Sequence, residues 1–94
     1  MLKILPMISS YMDYSGGNYG VHCLKVMMTS IVLYYSYDTI VAYFDEKDGL
    51  VVRVNSWSTT TGKHLNAINP DKKTRKSSEV FEKMLSEAID RHIV

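Results

Sequence analysis

The segment Asp45-Glu46-Lys47-Asp48-Gly49 constrains the fold of this chain most strongly, because it predicts a tight β-hairpin. Loops of this length that end in Asp-Gly join antiparallel strands, and the glycine takes the left-handed conformation. Strand-like segments with apolar residues at alternate positions flank the loop, from Ile40 to Phe44 and from Leu50 to Asn55. We expect Arg53 to face solvent or a partner. The residues expected on the inner face are Ile40, Ala42, Phe44, Leu50, Val52 and Val54.

Three earlier segments also have the character of β-strands. Residues 7–14 are typical of a ragged edge strand, His22 to Met28 alternates between two faces, and Ile31 to Ser36 is β-branched and aromatic. Glycine, asparagine and serine after Tyr14, and Thr29-Ser30 further on, supply the connections. Together with the hairpin, these segments predict an antiparallel meander of four or five strands.

The last segment predicts an amphipathic helix with Ser77 or Ser78 as its N-cap. The segment from Ser56 to Asn69 is instead a polar run without hydrophobic period, with at most a short helical turn at Leu65 to Ile68. We therefore predict an α+β fold for a single domain, residues 1–94, in which one C-terminal helix packs on one face of the meander sheet. The apolar stripe of that helix is Val80, Phe81, Met84, Leu85, Ala88 and Ile89.

Composition narrows the class of protein further. The 94 residues contain one cysteine, Cys23, so no internal disulfide can form, and we expect a reducing, cytoplasmic location in the host cell. The three histidines are scattered, which predicts neither a metal site nor a bound cofactor. The longest apolar run, Ile31 to Tyr35, is far shorter than a membrane-spanning helix requires, so no membrane association is expected.

The Gly62-Lys63 pair invites a phosphate-loop interpretation, which the neighbouring residues do not support. A phosphate loop needs glycine five residues earlier, where Trp57 stands, and Ser or Thr after the lysine, where His64 stands. The threonines from Thr59 to Thr61 either help to bind an anion or satisfy local backbone groups. There is no Gly-x-Ser-x-Gly motif, and Cys23 and His22 would point to opposite faces of a strand. We expect no enzymatic activity.

Two features indicate binding rather than catalysis. Residues 59–78 carry five basic side chains against Asp71 alone, which suggests contact with phosphate groups or simply a solvated loop. The chain also has seven tyrosines, among them the cluster of Tyr34, Tyr35 and Tyr37. Tyrosine is enriched at protein interfaces and stacks on nucleic-acid bases, but it is also common in strands. A sheet with one helix would leave its other face open for such contacts.

Three segments carry a resemblance to a known group of proteins. They are Asn18-Tyr-Gly-Val-His22, Tyr35-Ser-Tyr-Asp-Thr-Ile-Val-Ala42 and Trp57-Ser-Thr-Thr-Thr-Gly-Lys-His-Leu-Asn66, of which the Trp-Ser-x-Thr-Thr-x-Lys-His part is the most specific. Over about residues 9–90 the chain resembles a family of small uncharacterised proteins common in bacteriophages, archaea and Gram-positive mobile elements. The resemblance implies a short accessory protein of a phage or mobile element, and it implies no catalytic role.

Two binding hypotheses follow. In the first, a non-enzymatic accessory protein of a phage or mobile element binds and blocks a host protein, as an anti-CRISPR or other anti-defence inhibitor. In the second, the protein binds nucleic acid, and a dimer formed through an open sheet edge is compatible with either. The partner-binding residues of the first hypothesis are Tyr34, Tyr35, Tyr37, Trp57, Lys63 and His64. The phosphate-binding residues of the second are Lys63, His64, Lys72, Lys73, Arg75 and Lys76.

Overall fold

Five short strands form one antiparallel sheet, in which each strand pairs with its neighbours in sequence. The computed structural model describes residues 7–11, 23–55 and 59–92. The predicted meander and α+β class are confirmed, and two helices rather than one follow the sheet. The strands are β1 (Met7–Ser10), β2 (Leu24–Met27), β3 (Val32–Ser36), β4 (Thr39–Asp45) and β5 (Gly49–Val52). The helices are α1 (Thr59–Ile68) and α2 (Ser78–His92), separated by a 3-10 turn at Lys72–Thr74.

Turn chemistry fixes both hairpins in the second half of the sheet. Gly49 has a φ of 70°, as predicted for the β4–β5 hairpin, and the Asp48 N–H donates to Asp45 Oδ1 at 2.7 Å. In the β3–β4 turn Tyr37 has a φ of 57°, a backbone conformation that a bulky residue rarely adopts. The turn holds this conformation with an exposed tyrosine at its tip.

Helix α2 covers one face of the sheet, here called the α2 face. Its Phe81 and Ala88 are fully buried in the same core cluster as Leu33, Tyr43 and Val51. The predicted apolar stripe is therefore confirmed as the packing surface except at Val80, which is 48% exposed. The Val80 N–H donates to Ser77 Oγ at 3.4 Å, which identifies Ser77 as the N-cap. One line of paired residues on this face, the inner row, runs across all five strands: Ile8, Val26, Leu33, Tyr43 and Val51.

Helix α1 covers part of the opposite face, here called the α1 face. Leu65 is fully buried and packs with Ala42 and Val52, and Ile68 and Tyr34 complete this second core cluster. The sequence interpretation left most of this segment as a polar run, so the extent of α1 differs from the prediction. The helix forms because its few apolar side chains find a sheet surface, despite the low helix propensity of its three threonines and one glycine.

The assignment of β4 and β5 residues to an inner face was partly wrong. A register shift between Tyr34 and Tyr35 in the β3–β4 pairing places Ile40 with the core under α2 and Ala42 with the core under α1. Phe44 and Leu50 are 44% and 38% exposed rather than buried. The predicted alternation holds in β5 but not across Val41 in β4, and both sets of alternating residues are apolar, so the pattern did not identify the deeper face.

Arg53 was predicted to face solvent or a partner, and this was wrong. The residue is only 7% exposed, and its guanidinium lies 5.7 Å from the centre of the Phe81 ring. Arg53 Nη2 donates to Ser78 Oγ at 2.6 Å, at the beginning of α2. Arg53 therefore ties the end of β5 to the first turn of α2.

Candidate functional site

The two most specific segments of the sequence resemblance meet at a buried polar cluster. Ser36, at the end of β3, lies under the first turns of α1, where its Oγ is 2.7 Å from His64 Nδ1 and 3.1 Å from Thr61 Oγ1. The exposed fractions of Ser36, Thr61 and His64 are 3%, 4% and 0%. The Ser36 hydroxyl thus makes buried hydrogen-bond contacts with both Thr61 and His64. This contact fixes α1 on the β3–β4 hairpin.

Aromatic rings surround this cluster. The Tyr11 and Tyr37 ring centres lie 6.2 and 5.8 Å from that of His64, and Tyr11 stacks edge-on against Tyr34 at 5.6 Å. The Tyr11 hydroxyl donates to the Tyr35 carbonyl at 2.8 Å, and burial, with a smaller effect from Cys23, raises the pKa of Tyr11 well above its usual value. A cavity of about 170 Å³ borders the cluster and is lined by Ser36, Tyr37, Asp38, Thr39, Val41 and Thr61.

The predicted tyrosine surface does not form a single face. Tyr34 packs with the cluster under α1, whereas Tyr35 packs with the core under α2, so these neighbours lie on opposite sides of the sheet. Tyr37 is 48% exposed at the turn, and Tyr43 is fully buried. Trp57 lies outside the described residues. Of the four tyrosines in β3, β4 and their turn, only Tyr37 offers a large exposed surface.

The predicted basic residues divide into exposed and engaged groups. Arg75 Nη2 donates to Asn66 Oδ1 at 2.9 Å, and this contact holds the segment between the helices against α1. His64 is buried on the inner side of α1, away from any phosphate that Lys63 could reach. Asp71 caps the 3-10 turn by accepting from the Lys73 N–H at 3.0 Å. The exposed lysines are Lys63, Lys72, Lys73 and Lys76.

Sequence reasoning missed a charged network at the opposite end of the molecule. Arg91 Nη2 near the end of α2 donates to Asp45 Oδ2 at 2.6 Å and to Asp48 Oδ2 at 3.0 Å, and His92 Nε2 lies 2.9 Å from Asp45 Oδ2. The Tyr43 hydroxyl donates to Asp48 Oδ2 at 2.6 Å. The network closes the end of the α2 face.

The electrostatics of this network hold its carboxylates in the charged form. Burial would raise the pKa of Asp45, but hydrogen bonds from Arg91, the Asp48 N–H and His92 outweigh it and lower the pKa to about 2. A hydrogen bond from Tyr43 is the main cause that lowers the pKa of Asp48. Hydrogen bonds to Asp45 and Asp48 raise the pKa of Arg91.

An apolar row on the α1 face is the second feature that sequence reasoning missed. Successive strand pairings join five residues, and α1 covers the next row of the sheet instead of this one. Their alternation with inner-row residues was visible in the sequence, but the sequence did not show which rows a helix would cover. We call this line the open row: Met7, Met27, Val32, Phe44 and Leu50.

The open row has a large accessible surface. Met7, Phe44 and Leu50 are 65%, 44% and 38% exposed, and Met27 and Val32 are partly exposed. A cavity of about 300 Å³ adjoins the row at Val32 and Phe44. Its walls also include two ionisable side chains, Glu46 and His92. The other lining residues, 28–31, lie between β2 and β3, so the cavity is at the end of the sheet beside the open row.

The Ser36–His64 contact brings a hydroxyl and an imidazole together, as a nucleophile and its base would be. Both side chains are almost completely shielded from solvent, which favours a packing role for the pair. Among residues 7–11, 23–55 and 59–92, no group of three or more His, Cys, Asp or Glu side chains could hold a metal ion. In the same part of the chain no helix is long and apolar enough to cross a membrane.

The fold and its surfaces define a class: an antiparallel meander with a helix on each face of the sheet. The chain belongs to DUF8033, a family of unknown function, whose model matches residues 7–83. The match includes the whole sheet, α1 and the first turns of α2. No curated protein and no solved structure is similar enough to the chain to count as a match.

Proposed function

We propose that this protein is a non-enzymatic binding protein whose open row docks on an apolar surface of another protein. The observation that carries the proposal is the continuity of the open row across all five strands. With strands about 4.8 Å apart, the row extends over roughly 19 Å. Contiguous exposed apolar surface on a small domain marks interaction sites more often than scattered apolar residues do.

The resemblance to small proteins of phages and mobile elements supports a more specific version of this proposal. In that version the protein is an accessory protein of such an element, and its partner is a host protein that it blocks, such as a CRISPR effector or another defence protein. The burial of Ser36 and His64 supports a non-enzymatic mode of action. Tyr37 and Lys63, both exposed, remain candidate contacts with such a partner.

A pull-down from host-cell lysate tests the proposal when it is run with nuclease and with two matched variants. Phe44→Ser removes the aromatic side chain of the open row. Val80→Ser changes a residue of similar exposure on α2 and is the control. We expect the wild type and Val80→Ser to retain one stoichiometric protein that Phe44→Ser loses. Retention of the same protein by Phe44→Ser would exclude the open row as the binding surface.

Nucleic-acid binding is the second candidate function, and the four exposed lysines favour it. Lys63 and Asn66 lie three residues apart on the outer side of α1, and Arg75 holds the lysine-bearing segment next to Asn66. Positive charge therefore continues from the helix into the following segment. Such a surface would contact the phosphate backbone without sequence specificity.

The dependence of binding on salt separates the two candidates. For nucleic-acid binding, the association constant should fall steeply as salt rises, and Lys72→Glu should weaken binding far more than Lys47→Glu in the β4–β5 turn. We would measure both variants by fluorescence anisotropy with labelled single-stranded and double-stranded DNA. Equal effects of the two variants, or no salt dependence, would eliminate this candidate.

A further inference from the structure

The geometry points to an interface between two copies of this chain at the outer edge of β1. In this dimer the β1 strands of the two copies pair antiparallel about a twofold axis at Ile8, and the two sheets become one sheet of ten strands. Among the described residues, no strand pairs with the outer edge of β1. An unpaired edge presents backbone donors and acceptors to any strand of suitable register.

The direction of the backbone groups of Ile8 follows from the pairing of β1 with β2. The Tyr11 N–H donates to the Cys23 carbonyl at 3.0 Å, so the backbone groups of Tyr11 point toward β2. Because this direction alternates along a strand, Ser9 and Met7 also point toward β2, and Ile8 points outward. An Ile8 residue opposite its own copy therefore exchanges two backbone hydrogen bonds across the twofold axis.

The side chain of Ile8 gives the reason for this register. Ile8 pairs with Val26 at the outer end of the inner row, which forms the core under α2, yet Ile8 itself is 63% exposed. Contact between the two Ile8 side chains would extend the apolar core row of each copy through the interface. Cross-strand pairs of this kind stabilise sheets. A register shifted by one residue would instead place Ile8 opposite a residue whose side chain lies on the α1 face.

The two edges of the sheet differ in protection. At β5 the Lys76 N–H donates to the Val52 carbonyl at 2.7 Å, and the Val54 N–H donates to the Lys76 carbonyl at 2.8 Å, so the segment before α2 covers the end of that edge. Residues 7–11 contain no charge and no proline, the usual devices that prevent edge pairing. The lack of charge also means that two copies of β1 do not repel each other.

Cysteine cross-linking tests the register directly. Directly opposite Ile8 residues would have Cα atoms about 5.5 Å apart, within the range of a disulfide. We expect Ile8→Cys to form a covalent dimer under mild oxidation. Ser9→Cys should form little dimer alone, because Ser9 lies opposite Met7 of the other copy, but should cross-link when mixed with Met7→Cys. The wild type, whose Cys23 is buried, gives the background. Efficient self-linking of Ser9→Cys without Ile8→Cys would overturn this register.

Sedimentation equilibrium of the full chain tests the dimer itself. We expect a concentration-dependent species of twice the 10.7 kDa monomer mass. Ile8→Pro removes the outward N–H and leaves the β1–β2 hydrogen bonds intact, and Ile8→Lys places a charge on the edge. Each should raise the dissociation constant by at least about tenfold, and Ile8→Val should not. A monomer at every concentration, or a dimer unaffected by Ile8→Pro and Ile8→Lys, would overturn the inference.

Whether this dimer forms is independent of the proposed function. The open row lies on the α1 face, whereas the Ile8 contact extends the row under α2. Phe44→Ser should therefore leave the dimer unchanged, and Ile8→Lys should leave capture of a partner by the open row largely unchanged.

Discussion

The two faces of the sheet are built from similar strand residues but are covered to different extents. On the α2 face, a helix of 15 residues covers most of the inner row, and a salt bridge from Arg91 and a hydrogen bond from His92, both to Asp45, close one end. On the α1 face, a helix of 10 residues is anchored partly by the polar contacts of Ser36 and His64, and it leaves the open row exposed.

This difference in coverage separates the residues that stabilise the fold, under α2, from those of the proposed binding surface, the open row. The inner-row residues Leu33, Tyr43 and Val51 are almost completely buried, so truncation there removes burial and creates a cavity. The open row contributes less to the stability of the folded state, because its side chains remain partly exposed to water after folding. The larger core cluster thus lies under α2 and a smaller one under α1, and the uncovered part of the α1 face is the proposed binding surface. The following predictions test this division, beginning with the largest expected effect.

Phe81→Ala should destabilise the protein by about 3–5 kcal/mol, because a fully buried ring that contacts the inner row would be lost. Urea unfolding followed by circular dichroism measures the change in the free energy of unfolding. Val80→Ala, at a neighbouring position that is 48% exposed, is the control and should change it by less than about 0.5 kcal/mol. A similar effect at both positions would mean that α2 is not docked through Phe81.

Arg91→Ala should destabilise the protein clearly more than an exposed change on the same helix, since it removes two charge-assisted hydrogen bonds to Asp45 and Asp48. Lys83→Ala, an exposed change on the same helix, is the matched control. Chemical denaturation at pH 7 gives both values. If Arg91→Ala cost no more than Lys83→Ala, the network would not seal the end of the α2 face.

Acid should weaken the α2 face through the same carboxylates. The folded-state pKa of Asp45 is about 2 against an ordinary value of 3.8, so the folded protein binds fewer protons than the unfolded chain in this range. The stabilisation is therefore complete above about pH 4 and is lost as pH falls toward 2. Unfolding free energies measured between pH 6 and pH 2 should decline less steeply for Asp45→Asn. An unchanged slope in this variant would exclude Asp45 as a source of the acid sensitivity.

Ser36→Ala should destabilise by about 1 kcal/mol, because His64 and Thr61 each lose a buried hydrogen bond. The substitution tests whether α1 depends on a polar anchor, in contrast to the apolar docking of α2. Ser30→Ala, which is exposed before β3, serves as the control. Thermal and urea denaturation of both variants would show whether the anchor matters.

Phe44→Ser should lower the unfolding free energy by about 1 kcal/mol, well below the loss for Phe81→Ala, because only about half of this side chain is buried. The Phe44 side chain is already 44% exposed in the folded protein. Together with the loss of partner capture, such a small effect would separate recognition from stability. A loss above about 2 kcal/mol would instead place Phe44 in the core.

The sheet and α2 were predictable because their signals are local. The Asp-Gly turn that ends at Gly49 and the helical spacing of Phe81, Leu85 and Ala88 each determine structure within a short segment. Helix α1 was not predictable at its full length from hydrophobic periodicity. Its buried side includes His64 and Thr61, polar residues whose burial depends on a distant partner, Ser36.

The candidate binding surface could be predicted only in part. Strand alternation showed that Phe44 and Leu50 share a face, but whether a helix covers that face depends on tertiary packing. The irregular β3–β4 pairing near Val41 also places Ile40 and Ala42 in different core clusters. No turn residue in the sequence indicates this irregularity. No local pattern indicated the burial of Arg53, whose side chain contacts Ser78, 25 residues later in the chain.

The meander order of the strands has a kinetic consequence. From β2 to β5, each new strand needs only a short turn to reach its partner, so the loop-closure entropy of each pairing is small. Contacts of low sequence separation favour rapid formation of a sheet. The bridge from Asp45 to Arg91 spans 46 residues and must form across a much longer loop. We therefore expect the hairpins to assemble first and α2 to dock late. The transition state for folding then contains the formed sheet but not the docked α2.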